Sequence, residues 1–148
     1  MPVEAPIDNQ RIFRRRQVKI DILFTFLSNQ IVKLNSNSRP LKMEGTTKNI
    51  SAGGALIETP YNFGESTYLL AQLIIKDSKV PRVILCKSTW SEACRGRKGR
   101  SRCGIKFITK ERMPDYSLIE NSKNIPPEAL AFDLKKQQRL DEYLWSLN

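Results

Sequence analysis

Histidine is absent from all 148 residues. That removes the side chain best suited to moving a proton near neutral pH, and with it the Ser/His and Cys/His routes to an activated nucleophile. The three cysteines, Cys86, Cys94 and Cys103, are odd in number and widely spaced, with no CxxC pair. Without histidine to complete a tetrahedral set they make no zinc site, and they are expected as small buried hydrophobes. No phosphate-binding GxxxxGK loop is present. The carboxylates Asp21, Glu44 and Glu92 are scattered and read as surface charges. Catalysis is therefore not expected, and neither is a metal or a cofactor. Aromatic residues make up only 8% of the chain. With Phe24, Phe26 and Phe107 assigned to the core, little remains for stacking unpaired bases. Long apolar runs are missing too. The nearly uncharged stretch from Ile22 to Val32 is too short and too polar to span a bilayer. The first ten residues carry Glu4 and Asp8 around no apolar centre, unlike a signal peptide. The expectation is a cytoplasmic protein that does not insert into membranes.

What the chain has in excess is positive charge. Lys and Arg number 25 against 15 Asp and Glu, a formal net charge of +10. Arg11, Arg14, Arg15, Arg16 and Lys19 form one cluster, and Arg95, Arg97, Lys98, Arg100 and Arg102 form another. Such a field draws nucleotides, nucleic acids or acidic partners. Hydrophobic content of 40% and charged content of 27% are those of a globular domain.

From residue 17 the pattern has a period of two, Val18, Ile20, Ile22, Phe24 and Phe26 alternating with more polar neighbours as in a strand with one buried face. Asn35 to Pro40 reads as a loop. Strands are expected at Lys42 to Lys48, Ala55 to Thr59, Leu69 to Ile75, Arg82 to Glu92 and Arg102 to Ile108, with Ala93 to Ser101 a hairpin whose charged tip sits in water. Six short strands without an intervening helix predict a mainly β fold, a six-stranded antiparallel barrel. After a polar linker over 111–125, Pro126-Pro127 opens a helix over 126–148. Its Leu140, Tyr143, Leu144 and Leu147 fall at i, i+3, i+4 and i+7, with Leu130 and Leu134 extending the stripe. That stripe must be covered by the barrel or by a second copy in a homodimer. Residues 1–10 form a tail, and 11–110 the barrel with its arm.

Two segments carry binding chemistry. Arg11-Ile12-Phe13-Arg14-Arg15-Arg16 puts guanidinium forks just ahead of the first strand. Such forks pair with phosphate oxygens or with O6 and N7 of guanine, and their flat faces stack on purines. Phe13 is placed to anchor the arm. In Asn49-Ile50-Ser51-Ala52-Gly53-Gly54, Asn49 and Ser51 alternate and so face one way in extended chain, while the glycines allow close backbone approach or positive φ.

Together, Arg11-x-x-x-Arg15 and Asn49-x-Ser51-x-x-Gly54 resemble the signature of the PilZ domain family. Trp90 in a long strand and Gly104-Ile105-Lys106-Phe107 in the last strand extend the resemblance over roughly residues 10 to 110. The resemblance implies a six-stranded barrel that binds cyclic di-GMP in bacterial signalling, with no cofactor. It implies that Arg11 and Arg15 grip phosphates and guanine edges, that Asn49 and Ser51 contact a guanine, and that Gly54 holds the turn. Gln10, Arg14, Arg16 and Gly53 are secondary candidates. Many family members have aspartate where this chain has Asn49, whose amide offers one acceptor oxygen rather than two. Gln10 stands where a further arginine would favour a stacked pair of ligands, so one or two ligands per chain remain open. The mechanism that follows is ligand-driven ordering of the arginine arm, altering a surface read by a protein partner. Two rivals are a basic barrel for RNA or single-stranded DNA, ranked lower for want of aromatics, and a PilZ-like adaptor that binds no ligand.

Overall fold

The computed structural model describes residues 13–26, 42–77, 79–96, 99–112 and 126–147, the side chains of Phe26 and Lys42 excepted. The tail, Gln10, Arg11, the Asn35–Pro40 loop and most of the expected 111–125 linker lie outside the described residues. Six strands, β1 (Asp21–Phe26), β2 (Lys42–Ser51), β3 (Gly54–Thr59), β4 (Tyr68–Leu73), β5 (Val83–Ala93) and β6 (Ser101–Phe107), form a closed barrel in the order β1-β2-β3-β6-β5-β4. All six pairings are antiparallel. Closure leaves no strand edge open to aggregation.

Alternation fills the interior. Ile22 and Phe24, Met43, Ile57, Leu69 and Leu73, Ile84 and Cys86, and Cys103 and Ile105 are all buried in one cluster. In two places the alternation is interrupted. The β2–β3 register shifts between Thr47 and Asn49, and the β5–β6 register shifts between Ser88 and Trp90. An extra residue in one strand reverses which face the following side chains occupy. Before the first bulge Met43 and Thr47 are buried, and after it Ile50 points into the core. Asn49 and Ser51 are thereby turned onto the outer wall. The second bulge likewise turns Trp90 outward, 40% exposed.

The first strand is shorter than its sequence period implies. Residues 13–20 leave the ladder at the β2 bulge, where the Thr47 hydroxyl accepts from Ile20 N at 2.8 Å and donates to Val18 O at 2.6 Å. A single bridge, Arg16 with Ile50, rejoins the arm to β2 through bonds of 2.7 and 2.8 Å.

The expected continuous helix over 126–148 is in two pieces, α1 (Pro127–Leu130) and α2 (Leu134–Ser146). Phe132 causes the break: its side chain is fully buried and its carbonyl accepts from Lys110 N at 2.7 Å. Asp133 then caps α2 by accepting from Lys136 N at 2.9 Å, a bond that holds its carboxyl below the ordinary range. Leu130 and Leu134, expected on the apolar stripe, are exposed instead. Leu140 and Leu144 are buried in the barrel's own core cluster. The helix covers the barrel end that carries the β2–β3 turn, and its stripe is satisfied within one chain. Among the described residues, no helix is long and apolar enough to cross a membrane.

Candidate ligand-binding site

At the helix-capped end, an open groove of about 720 Å³ crosses the outer wall over β3, β6 and β5. The arm enters it with Phe13 and Arg15, and the β2–β3 turn with Ser51, Gly53 and Gly54. Phe13 is partly buried against the main core, which seats the arm on the barrel from that residue onward. Phe13 thus takes the anchoring position expected of it.

The local chain dictates the turn's shape. Ser51 Oγ accepts from Gly53 N at 3.1 Å, closing a hydroxyl turn over Ala52 and Gly53. Asn49 and Ser51 therefore end β2, and the turn itself is Ala52–Gly53. Of the two roles open to glycine, close approach applies at Gly54: a β-carbon there would collide with Ile105 O and lie 3.2 Å from Lys106 Cα. Gly53 O accepts from Phe107 N at 2.9 Å, fixing the turn to β6.

Electrostatically the groove has one sign. Arg15, Lys87, Lys106 and Arg112 line it, and none of the lining residues is acidic. Lys87 and Lys106 are direct partners across β5 and β6. Like charges so placed repel, and an anion between them removes that cost. The Lys87 ammonium also lies 5.4 Å above the Tyr68 ring. Asn49 Oδ1 is buried with no hydrogen-bond partner, as is Thr109 Oγ1 on the groove's helix side. Buried polar atoms are normally paired, so an orphaned acceptor beside a cationic groove is what a ligand N–H donor would satisfy.

The candidates thus separate. Arg15, Ser51, Gly53 and Gly54 meet at one groove. Asn49 stands two residues before Ser51 on the same face, outside the lining itself. Arg14 is exposed and does not line the groove. Arg16 turns the other way: Nη1 donates to Leu144 O at 2.6 Å and Leu147 O at 2.7 Å, and its guanidinium lies 4.9 Å from the Trp145 ring centroid. Arg11 and Gln10 lie outside the described residues.

Sequence reasoning missed several lining residues. Trp90 packs against Gly104, where a β-carbon would strike its indole. Lys87, Lys106 and Arg112 looked like ordinary surface cations, and nothing in their spacing distinguished them. Gln137 did leave a signal, being a polar residue at i−3 from Leu140 on the buried face of α2. Its Nε2 donates to Ala52 O at 3.0 Å. In the second basic cluster, Arg102 pairs with Glu92 at 2.6 Å and Arg100 approaches Glu58 to 3.7 Å. Part of that cluster's charge is thus committed to the fold.

The PilZ domain family profile matches residues 9–122, which span the arm, all six strands and every groove-lining residue but Gln137. The chain belongs to the PilZ domain family. This PilZ domain is also similar to the solved structure titled "Structure of Bacillus subtilis Inhibitor of motility (MotI/DgrA)", with a TM-score of 0.54 at 12% identity. The likeness covers 93% of this chain and 50% of that one, so the chain spans about half the length of that protein. At that identity the likeness concerns the fold. Comparison with the curated proteins finds no match.

Proposed function

We propose that this PilZ domain is a cyclic di-GMP receptor, a binding module in cytoplasmic bacterial signalling and not an enzyme. The observation that carries the reading is the convergence of Arg15 with Ser51, Gly53 and Gly54 on one groove whose charged side chains are all cationic. Cyclic di-GMP brings two phosphates for the cations and two guanines with donor edges. In this reading Arg15, with Arg11 ahead of it, pairs its fork with phosphate or with guanine O6 and N7. Asn49 accepts from a guanine N–H, and Ser51 and the glycine backbone line the bed beneath it. Bringing two negative charges beside Arg15, Lys87, Lys106 and Arg112 draws the arm more firmly onto a seat that Phe13 already provides. A protein partner would read the resulting change in the arm and its surroundings. Family membership supports the ligand class, and the orphaned Asn49 acceptor supports the guanine contact.

A second reading has one observation of its own. Trp90 is exposed in the groove beside cations, a pairing that also suits unpaired bases of RNA or single-stranded DNA. Calorimetry separates the two readings. Cyclic di-GMP should bind the wild type, and Arg15→Ala should weaken it roughly 5- to 150-fold, the worth of one bidentate contact of about 1–3 kcal/mol. Unchanged affinity in Arg15→Ala would remove the arm from the site. Salt-sensitive oligonucleotide binding without cyclic dinucleotide binding would favour the second reading.

A further inference from the structure

Both halves of the groove are tied to the same helix. On the arm, the residue next to Arg15 is Arg16, whose Nη1 bonds Leu144 O and Leu147 O at the carboxyl end of α2, with Trp145 against its guanidinium. Leu144 O also accepts the C-cap N–H of Leu147 at 3.3 Å, and this terminus carries the negative end of the helix dipole, which favours a cation there. On the turn, Ala52 lies between Ser51 and Gly53, and its carbonyl accepts from Gln137 in the first turn of α2. Gln137 is 8% exposed and Ala52 fully buried, so this bond is shielded from water. The two tethers grip opposite ends of a helix of 13 residues.

We infer that α2 is part of the binding site, with Arg16 and Gln137 as positioning residues that set Arg15 and the Ser51–Gly54 turn against one another. The inference rests on the cyclic di-GMP reading and deepens it. Neither residue need touch the ligand. Arg16 fixes where the arm's next side chain starts, and Gln137 fixes the backbone from which Ser51 and Gly53 project. Coupling of this kind is reciprocal: if the seated helix holds the site in its binding geometry, a bound ligand must hold the helix more firmly in its seat. The helix thereby becomes the element through which occupancy is passed on, with Trp145 and Leu134 exposed along it.

The test combines calorimetry with hydrogen exchange on the full chain, using cyclic di-GMP as the probe. Gln137→Met keeps the length and packing of the side chain while deleting the donor to Ala52. Trp145→Leu removes the ring braced against Arg16 and leaves the arm's charge intact. Gln137→Met should weaken binding on the order of tenfold, about one hydrogen bond's worth, and Trp145→Leu by about two- to fivefold, the worth of an exposed cation–π contact. Saturating ligand should slow exchange of the α2 amides in the wild type by more than it slows the barrel amides far from the groove. A purely structural role would not produce that excess, because ligand binding alone protects all globally exchanging amides alike. If either variant fails to fold, the wild-type exchange measurement still decides. Normal binding with no such excess at α2, or two folded variants within twofold of wild-type affinity, would overturn the inference and leave the receptor reading standing. A wild type that binds no cyclic di-GMP would overturn both.

Discussion

Replacing Asn49 with leucine should make the ligand-free protein more stable and a poorer binder at once. Asn49 Oδ1 is buried without a partner, and an unsatisfied buried acceptor costs about 1–3 kcal/mol. The residue as a whole is only partly buried, so the low end of that range applies. Leucine has nearly the same shape, brings no polar atom to strand, and suits a strand slightly better than asparagine. The net gain is then about 1 kcal/mol, equivalent to a rise in Tm of about 2–4 °C for a chain of this size. Affinity should move the other way. Losing the acceptor for a guanine N–H leaves that donor unpaired in the complex, a loss of about tenfold or more. Urea and thermal unfolding without ligand give the first quantity, and calorimetry with cyclic di-GMP gives the second. A leucine variant less stable than wild type by 1 kcal/mol or more would show that Asn49 serves the fold, and the reasoning from its orphaned oxygen would fail.

Gly54→Ala should destabilise by about 2–3 kcal/mol, since its β-carbon would press on the backbone of Ile105 and Lys106 and force β3 from β6; a denaturation midpoint equal to wild type would refute this. Thiol labelling at pH 8 should modify Cys94 quickly and leave Cys86 and Cys103 protected until unfolding, because burial pushes both buried thiols up, Cys103 to about 11. The unfolded thiols ionise first as pH rises, so the same burial should make stability fall between about pH 9 and 11. Rapid labelling of all three cysteines in the folded protein would contradict it.

The barrel was legible because its strands announce themselves by alternation. Ile22 and Phe24 or Leu69, Ala71 and Leu73 leave little choice of face. Alternation fails at a bulge, and the two bulges are what turn Asn49, Ser51 and Trp90 outward. Period counting therefore found the residues of the turn but had no means of seeing Trp90 over Gly104. The arginine arm was conspicuous as charge, yet nothing in Arg14-Arg15-Arg16 indicated that Arg15 would face the groove and Arg16 the helix. That division depends on a single bridge to Ile50. The helix was found by its leucines, and its break was missed because Phe132 is anchored by contacts distant in sequence. Lys87, Lys106 and Arg112 converge only through strand register and the segment after β6, which no local pattern records.

The central claim is that the groove takes a guanine-bearing cyclic dinucleotide, and one titration addresses it most directly. Cyclic di-GMP, cyclic di-AMP and GTP are compared by calorimetry on the full chain in the same buffer. Cyclic di-AMP keeps the ring of phosphates without guanine's edge, and GTP keeps guanine and charge without the ring. Saturable binding of cyclic di-GMP at least tenfold tighter than either competitor is the expected result. Equal binding of all three would reduce the groove to a generic anion site, and no heat with cyclic di-GMP would contradict the account outright.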